Sequence, residues 1–453
     1  MECFTIMSNE LEGAINPERY KNSLKFDNQI KIKDFAEVIN ELFVPAKKYP
    51  YRVFDWLRID KVKEGGFLSE DSIITTEGKN IDKSSVQFAK EGDILIARLG
   101  PSLSNEKILI APKTKNELVV SGEFIILRPK NIEPEIIVSI LKTNKYLRYI
   151  LSKGRGGTPS RLRINRDDFL ELDFPKIDKN MSVRIFNLID GLKNRIKSKE
   201  AEAQKLLDSI NDYVLDELGI KLPELEDKMI FVVNSDDVKG RRIDAYYYQP
   251  KFEEIEKAIK NGKFGVRELR EVLEYYKKGI EVGSDAYVEK GVPFIRVSDI
   301  DDYRIKYNET EKKIKLEFYE KLKEYKPKKG ELLFSKDGSI GFCVVVNENK
   351  ESVISGGILR LKVKDNINNF YIKTILSSKF FKMLAERESI GSIIKHLTHD
   401  VFLSLKIPLP PVDVQNKIAE EVKRRMQKAE QLQREAKEEL EKAKQEVEKI
   451  ILG

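Results

Sequence analysis

IFNLIDGLKNRIKSKEAEAQKLLDSINDYVLDEL, residues 185–218, carries apolar side chains on a heptad beat and recurs, much altered, 233 positions later. In the first copy Ile185, Ile189, Leu192, Ile196, Ala203, Leu206 and Ile210 keep steps of three and four, with Lys199 alone interrupting. That spacing gathers one apolar stripe along a helix and is the seam of a coiled coil. In the second copy, IAEEVKRRMQKAEQLQREAKEELEKAKQEVEKII at 418–451, the residues Ile418, Val422, Ala429, Leu432, Ala436, Ala443 and Val447 fall on the same ladder. Two such helices in one chain are expected to bury their stripes against each other as an antiparallel coiled coil.

The duplication reaches upstream of the helices. FLELDFPKI (169–177) matches FLSLKIPLP (402–410) at the same offset of 233. VSGEFIILR (120–128) matches ISGGILRLK (354–362) at 234, and EGDILIARLG (91–100) matches KGELLFSKDG (329–338) at 238. A drift of a few residues means loop insertions between matching elements, as in two domains that share a frame and differ at their tips.

Composition sets the bounds. A chain of 453 residues can hold two or three domains, and 41% apolar residues exclude wholesale disorder. There is no run of 18 apolar residues to span a membrane, and MECFTIMSNE (1–10) has no basic region followed by an apolar one. Cys3 and Cys343 are the only cysteines, which offers no disulfide framework and suits a reducing cytoplasm, the expected location. The net charge is +7; residues 183–218 carry six basic and seven acidic side chains and 412–451 ten of each, so the positive excess lies on the globular parts. A polyanion is the partner such an excess fits.

The pattern predicts an α+β fold with two similar globular domains, each followed by a long helix. The expected boundaries are 1–178 for the first domain, 179–222 for its helix, 223–411 for the second domain and 412–453 for its helix. Strands are expected near Ile94 to Ala97, Phe124 to Leu127, Leu332 to Phe334 and Val344 to Val346. One helix is expected in each half, near Pro134 to Leu151 and near Phe370 to Glu388. Helix-ending chemistry at 219–223 stops the first long helix, and RRIDAYYYQP (241–250) opens the second unit, with AINPERY (14–20) as its degenerate counterpart. Tyr246, Tyr247 and Tyr248 are expected to pack where the second half meets the helices rather than to stack on bases.

Catalytic motifs are missing. No Gly-x4-Gly-Lys-Ser/Thr phosphate loop occurs, and the only Pro-Pro pair, Pro410-Pro411, precedes Val412 rather than the aromatic residue an amino-methyltransferase needs. His396 and His399 could hold a metal if they shared a helix face, but no third ligand lies near them. Asp299, Glu311 and Lys313 have the residue types of a nuclease centre at a spacing that chance supplies in a chain this charged. The expectation is a chain that is not an enzyme and takes no cofactor or metal.

The ordered set RRIDAYYYQP, KGELLFSKDGSIG (329–341), VISGGILRL (353–361), FLSLKIPLPPVDVQNKI (402–418) and the two trailing helices resembles the specificity subunits of type I restriction-modification systems. The likeness spans nearly the whole chain. The first copy departs from it at FPKIDKNMSVRI (174–185), which lacks Pro-Leu-Pro-Pro and the following Gln. The resemblance implies that each globular half is a target-recognition domain reading one half of a bipartite, asymmetric site in double-stranded DNA. It also implies that the paired helices are a spacer docking methyltransferase subunits, two of them, in a complex that includes restriction subunits. The rival reading is a duplicated coiled-coil scaffold with protein-binding heads. Recognition needs cations for phosphates and base edges and no active site. Arg98 and Lys336, at the ends of matching strands, are candidates. So are Arg155, Arg161 and Arg163 around the glycine-rich turn GRGG (154–157), and Lys395 in the corresponding region of the second half.

Overall fold

The computed structural model describes residues 24, 26–69, 71–81, 85–156, 158, 161–223, 226–239, 242–391 and 395–452. The AINPERY stretch, Cys3, Gly157 and Arg241 lie outside the described residues. The chain forms two compact units, 1–200 with 434–453, and 201–433. Each unit therefore takes part of both long helices.

In the first unit the strands are β1 (Gln29–Lys31), β2 (Ala36–Ile39), β3 (Val53–Leu57), β4 (Ile73–Glu77), β5 (Val86–Ala89), β6 (Ile94–Ala97), β7 (Ile108–Ile110), β8 (Glu117–Ser121), β9 (Phe124–Pro129) and β10 (Asp173–Pro175). They pair as β2-β9-β6-β7, as β4-β3-β8-β5 and as the ribbon β1-β10. Helices α1 (Pro134–Leu141) and α2 (Asn144–Ser152) follow β9, and α3 (Lys179–Leu218) leaves the unit.

The second unit repeats this plan. After α4 (Pro250–Lys260) come β11 (Val266–Glu268), β12 (Leu273–Lys278), β13 (Tyr287–Val288), β14 (Val292–Ile295), β15 (Lys313–Ile314), β16 (Leu332–Ser335), β17 (Cys343–Val345), β18 (Val353–Ile354) and β19 (Ile358–Val363). Helices α5 (Asn369–Leu376) and α6 (Lys379–Glu388), strand β20 (Lys406–Pro408) and helix α7 (Val412–Leu452) complete it. The sheets run β12-β19-β16-β17, β13-β15-β14-β18 and β11-β20; the first order and the ribbon repeat those of the first unit, and β15-β14-β18 repeats β4-β3-β8, but the fourth strand changes edge, β13 lying beyond β15 where β5 lies beyond β8. Both second sheets hold one parallel pair, β3 with β8 and β14 with β18. The register recurs too: Ile94 faces Leu127, and Leu332 faces Leu361.

Burial on both faces explains the unbroken apolar runs of the central strands. Ile94 and Ile96 point into the core formed with α1 and α2, whereas Leu95 packs with Phe124 and Ile126 against the other sheet. In the second unit Leu332 and Phe334 face α5 and α6, and Leu333 faces Ile295 and Val344. The turn before each central strand recurs. Gly92 and Gly330 hold φ of +87° and +88°, which only glycine adopts without strain. The acid that follows, Asp93 or Glu331, accepts a backbone N–H from Lys90 or Lys328 and pairs with an arginine of the neighbouring strand, Arg128 or Arg360.

The expected single helices are each two, broken at Thr143 and at Ser377-Ser378. The Thr143 and Ser378 hydroxyls donate to the carbonyls of Ile140 and Ile375 at 2.8 and 2.6 Å, turning back the chain where an apolar pattern alone reads as continuous.

The helix pairs are antiparallel in each unit. In the first, Arg195 pairs with Glu439 and Lys199 with Glu435, stepping forward on α3 and back on α7. Leu192, Ile196, Ala436 and Ala443 form the seam between them, and Ile185, Val447 and Ile451 join the core of the domain. In the second unit Ala203, Ala429 and Leu432 form a seam, while Val214, Leu218, Ile418 and Val422 join the core with α4 to α6. Gln415 fastens the entry to α7: its Nε2 donates to the Pro410 carbonyl at 2.8 Å and its Oε1 accepts from Asn368 N–H at 2.9 Å.

Among the described residues, no helix is long and apolar enough to cross a membrane.

Candidate nucleic-acid interface

In the first unit the chain leaves β6 and enters a patch of extended backbone. Arg98 donates its N–H to the Glu123 carbonyl at 2.9 Å and accepts from Ile164 N–H at 3.0 Å. Gly100 N–H bonds the Leu162 carbonyl at 2.8 Å, and Arg155 and Arg163 exchange two backbone bonds of 2.8 Å. These bonds bring Arg98, Arg155 and Arg163 together, with Arg161 on the adjoining turn. A Cβ at Gly156 would lie 2.5 Å from the Arg161 carbonyl, so the glycine-rich stretch allows that close approach.

The side chains differ in reach. Arg155, 71% exposed, pairs with Asp168 at 2.9 Å, and Arg163, 54% exposed, pairs with Glu123 at 3.1 Å. Such exposed pairs contribute only about 0–1 kcal/mol, so they aim the guanidinium groups without locking them away from a phosphate or base edge. Arg161 is exposed. Arg98 lies deeper, its Nε donating to the Ile164 carbonyl at 3.2 Å. Behind it Arg166 donates to Gln87 Oε1 and to the Gly122 carbonyl, both at 3.3 Å. Burial, followed by repulsion from Arg98, lowers the Arg166 guanidinium from its ordinary value.

The second unit repeats the backbone and changes the side chains. Lys336 N–H bonds the Gly357 carbonyl at 2.9 Å, Leu397 N–H bonds the Lys336 carbonyl at 3.0 Å, and Gly338 N–H bonds the Lys395 carbonyl at 2.8 Å. Ile390 and His396 exchange bonds of 2.9 and 2.8 Å, as Arg155 and Arg163 do. Lys336 thus stands where Arg98 stands, Asp337 where Leu99 stands, Lys395 where Leu162 stands and His396 where Arg163 stands.

Lys336 does not project. Its side chain is fully buried, and Nζ donates to both Asp337 carboxylate oxygens, at 2.7 and 2.6 Å, so its charge is neutralised internally. Lys395 pairs with Glu386 at 3.1 Å and lies 5.8 Å from the Tyr246 ring. His396 and His399 share no helix face: His396 sits in the extended bridge, and His399 opens the short helix His399–Ser404. Asp299 and Glu311 both serve Arg296, the first accepting its backbone N–H and the second its Nη2. Tyr246, Tyr247 and Tyr248 contact Phe252, Arg387 and the Arg242 carbonyl. Among the described residues no group of three or more His, Cys, Asp or Glu is placed to hold a metal ion.

Sequence reasoning missed Arg166, Glu123, Asp168, Asp337 and His396. The 233-residue offset places His396 under Arg163, a signal that reading the histidine as a metal ligand or a solvated or capping side chain did not use.

Residues 261–442 match the family model of the type I restriction modification DNA specificity domain. Among solved structures, the chain aligns with the HsdS subunit from Thermoanaerobacter tengcongensis at 16% identity, over 94% of this chain and 96% of that one, with a TM-score of 0.35. It aligns with the S subunit of a type I restriction-modification system from M. genitalium at 13% identity, over 95% and 97%, with a TM-score of 0.43. A chain from work on assembly and conformational transition of the type I R-M system aligns at 16% identity, over 95% and 98%, also at 0.43. Over residues 261–442, about two fifths of its length, the chain is similar to the type I restriction modification DNA specificity domain.

Proposed function

We propose that this chain is the DNA-recognition subunit of a type I restriction-modification complex and reads a bipartite, asymmetric site in double-stranded DNA. Residues 1–178 and 223–411 are the two readers, and 179–222 and 412–453 are the spacer helices that dock two methyltransferase subunits. Restriction subunits of the same system complete the assembly in the cytoplasm. Methyl transfer and cleavage belong to those partners, and this chain contributes binding alone.

The observation that supports this most strongly is the patch around Arg163. Exposed guanidinium groups of Arg155, Arg161 and Arg163 share one edge, held by weak ion pairs, with Arg98 beneath them. Guanidinium forks suit phosphate oxygens and the O6/N7 edge of guanine. In the second unit Lys395 supplies the cation, and Lys336 supports the loop from inside. The difference in side chains on a shared frame is what two readers of different half-sites require.

Duplex binding measured against salt tests the reading. The logarithm of affinity should fall linearly with the logarithm of salt concentration, because neutralised phosphates release counterions. Arg163→Gln should weaken binding and, if the contact is to phosphate, reduce the slope by about one. Salt-insensitive or absent duplex binding would favour the scaffold with protein-binding heads instead.

A further inference from the structure

The second unit carries a three-residue arrangement that the first lacks. Asp337, at the position of Leu99, receives the buried Lys336 ammonium on both carboxylate oxygens and also touches His396 Nδ1. The ring of His396 is half exposed and stands where the first unit presents Arg163.

These contacts determine which ring nitrogen carries hydrogen. An ammonium is a donor only, and an ionised carboxylate is an acceptor only. Both Asp337 carboxylate oxygens accept from Lys336, and a carboxylate that only accepts can be met by the imidazole only through Nδ1–H. The Lys336 Nζ lies 3.3 Å from the same nitrogen, but an Nδ1 that carries hydrogen has no lone pair left to accept from it. In a neutral imidazole the other nitrogen is then an acceptor. Among the described residues Nε2 has no hydrogen-bond partner, while reciprocal backbone bonds to Ile390 fix the strand that bears the ring.

We propose that His396 is a base-reading residue, offering Nε2 as an acceptor to an exocyclic amino group, cytosine N4 or adenine N6, in the major groove. The proposal rests on the DNA-recognition reading above and names the chemistry of its second half-site. In the major groove those amino groups are the donors, whereas guanine O6 and N7 and thymine O4 are acceptors that Nε2 would repel. Arg163, a pure donor at the equivalent place, suits the opposite set. One frame thereby reads complementary base-edge classes in its two copies.

The test is selection of bound duplexes from a randomised pool by the full-length chain. The wild type should enrich adenine or cytosine on one strand at a position of one half-site. In His396→Ala the preference there should drop roughly tenfold, the share a good base contact supplies, with the other half-site unchanged. Asp337→Asn removes the carboxylate that keeps hydrogen on Nδ1 and frees Lys336 to donate to that nitrogen. The hydrogen then moves to Nε2, and the preference should switch to guanine or thymine. Circular dichroism melts matching the wild type qualify each variant. An unchanged motif in His396→Ala, or an adenine or cytosine preference kept in Asp337→Asn, overturns the inference and leaves DNA reading standing. A wild-type chain that selects no sequence overturns both.

Discussion

Lys142 buries its ammonium against a backbone carbonyl, donating from Nζ to Gly65 O at 2.7 Å. Burial, only partly opposed by the nearby Glu106 carboxylate and reinforced by the Lys444 charge, pushes it down to about 8. In the unfolded chain a lysine titrates near about 10.4. The unfolded state therefore binds more protons between those values, and stability rises with pH across that window. The gain is at most about 3 kcal/mol, at roughly 1.4 kcal/mol per pKa unit. Lys142→Met should remove this slope: urea midpoints from pH 7 to 10.5 should climb for the wild type relative to the variant, and parallel curves would contradict the assignment. Such residues show the limit of pattern reading. Lys142 and Lys336 are cations in a chain full of solvated ones, and only the fold shows that a carbonyl waits for the first and Asp337 for the second.

The helices were the most legible elements, because a seam is a one-dimensional pattern. Ile185, Ala203, Ile418, Val422 and Ala429, placed on the stripe by spacing alone, are all within 1% of complete burial. Lys199 read as an interruption because spacing carries no partner; its ammonium pairs across the helices with Glu435 and Glu439 at 2.7 and 2.9 Å. The breaks at Thr143 and Ser378 were illegible for the opposite reason, since a single hydroxyl competes with the helix while the apolar rhythm carries on through it. At Ala203 the small side chain meets Ala429 and Leu432. Ala203→Leu has no space to fill there and should cost about 1–3 kcal/mol by overpacking. Thermal denaturation checks this, and a wild-type or higher Tm would mean that the helices part there without penalty.

At the scale of the whole chain the internal repeat was legible, because offsets of 233 to 238 recur in order, and the matching orders β2-β9-β6-β7 and β12-β19-β16-β17 give it a physical basis. What the repeat could not give was how the long helices are shared. The periodicity is the same from end to end of each, whereas Val214, Leu218, Ile418 and Val422 merge with the core of the second unit, and Ile185, Val447 and Ile451 with that of the first. If each globular domain reads its own half-site, residues 226–408 should be exchangeable for the matching segment of a relative. The exchange has a packing condition: Phe252, Ile255 and Ile259 of α4 lie in one core with Val214, Leu218, Ile418 and Val422, so the donor segment must bring apolar side chains of similar volume to those positions. Losing one large side chain there would cost about 2–5 kcal/mol and confuse misfolding with altered reading. With that core kept, methylome sequencing of a host carrying the chimera and its methyltransferase should show one half of the motif changed and the other intact. A motif altered in both halves, or in neither, would show that the two domains do not read independently.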